Sequence, residues 1–179
     1  MTAKEISEVS GPSDGARALV QEDSTSSGYL ESLEKQELFQ DAIRFLAHKL
    51  PTDAGVKWAS ACVRELQAPD RKEQKDEPLE AADRWIKAPG DDTRWAAKNA
   101  ADQAKVTGLG NLVAMAVFLS GGSIAPPEAP ETAPPPYSAQ KMIAGSILVA
   151  VVSHEPQKAT ERYKRAIAMG KDLDQGGKA

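Results

Sequence analysis

Apolar residues recur at three- and four-residue intervals along most of this chain, and that period predicts helices. Leu38, Phe39, Ala42, Ile43 and Leu46 fall on one face of a first helix that starts near Leu30. Glu34, Glu37 and Asp41 lie largely on its other side, and Pro51 closes it. Thr52 is placed to cap a second helix with Val56, Ala59, Val63 and Leu66 as its buried stripe. The charged segment from Ala68 to Glu77 reads as a solvated loop, and a third helix follows Pro78 through Leu79, Ala82, Trp85 and Ile86. Pro89 and Gly90 stop it. Asp91 or Asp92 caps a fourth helix, and Gly108 and Gly110 separate that from a short apolar fifth, Asn111 to Ser120.

The stretch SIAPPEAPETAPPPYS holds six of the twelve prolines, which excludes helix or central strand over most of its length. It predicts an extended, partly polyproline connector lying over the helical body. Ser138 then caps a sixth helix, Ala139 to Val152. Pro156 opens a seventh with Ala159, Tyr163, Ala166, Ile167 and Met169 inward, and Gly170 ends it. No segment alternates convincingly as a strand. The expected architecture is all-α, a compact bundle of about six to seven helices packed as antiparallel pairs. Residues 1–28, poor in large apolar groups, are expected to be a mobile leader. Residues 29–170 form one helical domain with the proline-rich connector at 121–137, and residues 171–179 a frayed tail.

Composition sharpens the partner class. Aromatic residues are only 5% and alanine is abundant, which favours close helix–helix packing. The net charge of −4 gives no electrostatic footprint for nucleic acid. The basic run Lys158, Arg162, Lys164 and Arg165 reads as the solvent face of a terminal helix. The most apolar stretches, Leu109 to Leu119 and Met142 to Val152, are far shorter than the roughly 20 residues that span a bilayer. With one cysteine, Cys62, and no apolar leader core, the expectation is a cytoplasmic protein.

The chain offers little that reads as catalysis. His48 and His154 have no partners at metal-ligand spacing apart from Glu155, whose side chain is expected to point away from its neighbour. Cys62 sits on the buried stripe of its helix, where a thiol is inert. Gly108-Leu109-Gly110 begins like a dinucleotide fingerprint, but Val113 stands where its third glycine belongs and no strand precedes it. The pairs Asp76-Glu77 and Asp91-Asp92 read as loop and capping residues. We therefore expect no enzyme, no cofactor, no metal and no small-molecule substrate, with another protein as the partner. The candidate partner-binding residues are the tryptophans Trp58, Trp85 and Trp95, which usually pack in cores but anchor interfaces when exposed. The connector adds Pro126, Pro127, Pro134, Pro135, Pro136 and Tyr137, whose last four residues match the Pro-Pro-x-Tyr ligand of WW domains.

Four segments together carry a resemblance: LPTDAGVKWASACVREL, AADRWIKAPGDDTRWAAKNAADQA, FLSGGSIAPPEAPETAPPPYSAQKMIAGSILVAVV and EPQKATERYKRAIAMG. Over roughly Leu50 to Gly170 the chain resembles an uncharacterised bacterial domain family of unknown function. The most distinctive part is Ser120, Gly121, Gly122, Pro126 and Pro127 ahead of the proline run. Members of that family look like accessory proteins of gene clusters that include type VI secretion. The resemblance implies a non-enzymatic adaptor or co-chaperone that binds a secretion chaperone, its effector, or both. The alternative it leaves open is an immunity protein that neutralises a cognate toxin.

Overall fold

A computed structural model describes residues 1–68, 75–104, 108–126 and 128–176. Among these there are ten α-helices and no strand. They are α1 (Ala3–Ser10), α2 (Asp14–Leu19), α3 (Ser26–Lys35), α4 (Phe39–Lys49), α5 (Thr52–Leu66), α6 (Glu77–Lys87), α7 (Asp91–Gln103), α8 (Gly110–Phe118), α9 (Ser138–Val152) and α10 (Ala159–Asp174). A single 3-10 turn, Pro156–Lys158, leads into α10. The count exceeds six to seven for identifiable reasons.

The first is a split. Where the apolar period predicts one helix up to Pro51, the chain breaks at Gln36–Leu38, with Glu37 at φ 56°. The Leu38 amide reaches back to the Leu33 carbonyl at 2.9 Å, closing α3 as a left-handed C-terminal residue does. Glycine usually takes that conformation, so a glutamate there carries no sequence signal.

The second is the N-terminus. Residues 1–28, expected as a mobile leader, contain α1, α2 and the start of α3. Thr2 and Glu5 form a reciprocal capping box, and Gly11 ends α1 in the left-handed region at φ 68°. Ser13 caps α2 by accepting from the Ala16 amide at 3.2 Å. Ala3, Ile6 and Ala16 are buried against the body. The Thr2-x-x-Glu5 box is a local sequence signal for α1, and Ser13 is one for α2.

α9 is the hub. It packs against α4, α5, α8 and α10, and its Ile143, Ile147, Ala150 and Val151 are fully buried. α4 and α5, though joined through Leu50 and Pro51, find their main shared neighbour in α9 rather than pairing with each other. Thr52 does not cap α5 as expected. It is the first helical residue, with Pro51 before it, and its hydroxyl accepts from Gln140 Nε2 of α9 at 3.3 Å. Ser138 likewise fails to cap α9, whose N-cap position is Tyr137.

The last helix runs past Gly170 to Asp174 instead of stopping there, which shortens the expected frayed tail. Gly170 serves a different purpose: a Cβ at this position would lie 2.8 Å from the Trp58 ring, so only glycine lets α10 approach α5 this closely. The Trp58 indole donates to the Ala166 carbonyl of the same helix at 2.8 Å. The part of the charged 68–77 loop at residues 69–74, and residues 177–179 of the tail, lie outside the described residues.

A candidate protein-binding surface

The proline connector leaves α8 through a tight polar junction. Arg94 of α7 is 4% exposed, yet it donates to the Phe118 carbonyl at 2.9 Å and to the Ser123 carbonyl at 2.8 Å. Asp91, one turn earlier on α7, accepts from both Arg94 Nε and Nη2. Gly122, at φ 64°, leaves the room for the guanidinium, which a Cβ there would meet at 2.9 Å. Arg94 thus closes the carbonyl end of α8 and fixes where the connector begins. It also lies over the Trp95 and Phe118 rings, which meet edge-on at 5.0 Å.

Beyond this junction the connector doubles back rather than running extended as expected. The Ile124 amide donates to the Thr132 carbonyl at 2.8 Å, and Ser123 Oγ accepts from the amides of Ala125 and Thr132, each at 3.1 Å. Proline excludes helix but not a closed loop, and one serine hydroxyl is enough to pin the two ends. Pro126 is exposed; Pro127 lies outside the described residues. Pro135 and Pro136 are exposed and Pro134 is half-buried.

The Pro-Pro-x-Tyr segment ends in a turn. The Ser138 amide donates to the Pro135 carbonyl at 3.2 Å, and Tyr137 stands at φ 59° with its ring 5.7 Å from that of His48. A straight polyproline ligand does not continue through that residue. Tyr137 keeps 38% of its surface exposed, and the connector and the first turn of α9 enclose a groove of about 320 Å³. Its lining includes Thr52, Leu119, Ser120, Pro134 and Gln140. Ser138 Oγ beside it is buried without a hydrogen-bond partner.

The three tryptophans divide. Trp58 is fully buried and Trp85 is 8% exposed, so both belong to the core; Trp95, half-buried on α7, is the one that retains surface. Sequence reasoning passed over the charged joints. Besides Arg94, Asp76 caps α6 through the Leu79 amide at 3.1 Å and also accepts from the Gly110 amide of α8 at 3.2 Å. Arg162 of α10 donates to the carbonyls of Leu66, Ala150 and His154, joining the ends of α5 and α9. Only the capping of α6 by Asp76 has a local pattern; the bonds to Gly110, Phe118, Ser123, Leu66 and Ala150 reach segments distant in sequence.

The reactive groups are modest. Burial pushes the Cys62 thiol well above its ordinary range and lowers His48 below 6.5. His48 Nδ1 bonds the Arg44 carbonyl at 2.8 Å, which requires the proton on that nitrogen, and Nε2 is buried without a partner. Glu155 does not point away from its neighbour: its carboxylate lies 3.5 Å from His154 Nε2, although Lys158 is the stronger influence holding it below its usual value. No group of three or more His, Cys, Asp or Glu among the described residues could hold a metal ion. No helix among them is long and apolar enough to cross a membrane.

These features define an all-helical body carrying a tethered, partly exposed proline loop. The chain belongs to a family of unknown function (DUF6931), whose model matches residues 29–174. That match extends further at both ends than the resemblance read from Leu50 to Gly170. No curated protein and no solved structure matches the chain.

Proposed function

We propose that this protein is a non-enzymatic adaptor or co-chaperone that holds a bacterial type VI secretion effector, or the effector's dedicated chaperone, before export. The observation that carries the reading is the connector from Ser123 to Tyr137. It is exposed at Pro126, Pro135, Pro136 and Tyr137 yet fixed at its start by Arg94 and closed by Ser123. A surface that is already ordered loses little entropy on binding, so its apolar groups contribute most of their burial to affinity. The likeness of the segments around Ser120–Pro127 to accessory proteins of secretion clusters supplies the partner class. The test is a pull-down of purified chaperone–effector pairs encoded beside the gene. A discrete complex at micromolar concentration, weakened by Tyr137→Ala, supports the adaptor; pairs that ignore the protein at that concentration remove it.

The immunity reading keeps one observation in its favour. Residues 1–37 carry eight acidic and three basic side chains, a surface suited to capturing a basic toxin. Rescue of cells that express a neighbouring toxin would move the assignment there.

A further inference from the structure

Residues 3–19 sit on the rest of the protein as a ligand sits in a cleft. α1 packs on α4 and α2 on α3. Tyr29 and Asp41 line that cleft, and Phe45 backs Tyr29 in edge-on contact at 5.0 Å. Asp41 is 7% exposed and binds Ser13 twice, accepting from its amide at 2.9 Å and from its hydroxyl at 2.8 Å. The Tyr29 hydroxyl, also buried, lies 3.0 Å from Ser7 Oγ and donates to the Ala16 carbonyl at 3.0 Å. Ile6 is the one large apolar side chain that α1 buries.

The floor and the segment it holds have different standing. Tyr29, Asp41 and Phe45 fall inside the 29–174 match to the family, and residues 3–19 fall outside it. The segment is also weakly held. Helices of eight and six residues are not stable alone, and the apolar side chains that hold this segment are few and mostly small: Ile6, with Ala3, Ala16 and the partly buried Leu19. Its other anchors are hydrogen bonds, whose net worth is modest. Its outer side carries the exposed carboxylates Glu5, Glu8 and Asp14.

We propose that the α3–α4 cleft is a docking site for a short amphipathic helical segment of a partner protein, and that α1–α2 is a self-ligand that occupies it. The chemistry of the occupant can be read from the one in place: a serine or threonine whose amide and hydroxyl meet Asp41, a small residue three positions later, and an aliphatic side chain in the Ile6 position. A partner segment of this kind displaces the arm and reaches the family body beneath. The inference stands on the arm and its cleft, independently of the proline connector.

The probe is a synthetic peptide of residues 1–22, added to the full-length protein. Ile6→Asp loosens the arm without touching the cleft floor. It is expected to leave one cooperative melt of the body and to bind the peptide. Wild type is expected to bind at least about tenfold more weakly, because a tethered arm competes at millimolar effective concentration. Adding Asp41→Ala to Ile6→Asp should abolish peptide binding. A folded Ile6→Asp protein that ignores the peptide overturns the proposal. So does an Ile6→Asp protein that loses the body's cooperative melt, since the arm is then part of the core. Hydrogen exchange on the unaltered protein is a separate check: amides of α1 and α2 should exchange as a unit ahead of α4 and α5, and equal protection would count against the arm.

Discussion

α9 and α1 are both helices packed on α4, and they are held by opposite means. α9, with its neighbour α8, contains only one charged residue, Lys141, and is apolar nearly all round. Its buried face is Ile143, Ile147, Ala150 and Val151, and its position is set by shape and apolar area. α1 buries Ala3, Ile6, Ser7 and Ser10, so half its inner side is hydroxyl. Its placement depends on particular partners: Tyr29 for Ser7, and Asp41 for Ser13 just beyond the helix. In the body, helices form because they can bury enough. In the arm, they lean on caps: Thr2 with Glu5 at the start of α1 and Ser13 at the start of α2. The difference predicts that the body should fail cooperatively and the arm locally.

The sharpest way to break the comparison is in the body. Trp58→Ala removes a fully buried ring and the bond to Ala166, and should cost about 3–5 kcal/mol of global stability, read as a lower midpoint in urea with the slope unchanged. Arg94→Met sits between the two regimes, a polar joint inside the body. It leaves the Phe118 and Ser123 carbonyls without their donor, an expected loss of about 2–3 kcal/mol. Amides from Ile124 to Thr132 should exchange faster as the connector comes loose; unchanged exchange there would mean Ser123 alone holds the loop.

Thr2→Ala tests the arm. Loss of the capping box should cost about 1 kcal/mol, visible as faster exchange in α1 while the global urea midpoint stays put. A shift of the global midpoint would erase the distinction between arm and body.

The smallest effect is one of pH. Burial holds the His48 pKa below its ordinary 6.5, so the unfolded chain binds this proton more readily than the folded one. His48 therefore lowers stability as pH falls through 6.5, and its effect is absent well above that value. In His48→Gln the stability-versus-pH curve should be flatter between the folded pKa and 6.5, and a curve parallel to wild type would refute the assignment. Lys141 of α9 acts in the same direction as burial, and the Arg44 carbonyl opposes both.

The helical class was legible because amphipathic period survives in the sequence whatever the neighbours are. Prolines 51, 78, 89 and 156 punctuate it where the helices end or begin. The caps were legible only in part. Thr52 and Ser138 have the right chemistry in the right place, but each helix starts one residue earlier than expected and leaves the hydroxyl elsewhere. The candidate surface was half-readable: composition marked the connector, while nothing local showed that Ser123 closes it or that Tyr137 turns toward His48.

By itself, then, the sequence determined what each segment could become: alanine-rich amphipathic stretches that must be helical, and a proline run that cannot be. Only the tertiary structure decided which termini meet. Asp41, Asp76, Arg94 and Arg162 complete their sets of partners only once helices far apart in the chain are brought together. A charge that reads as solvated along the sequence is worth burying only when a distant amide or carbonyl is already there to pair with it. That condition belongs to the assembled fold and to no single segment of it.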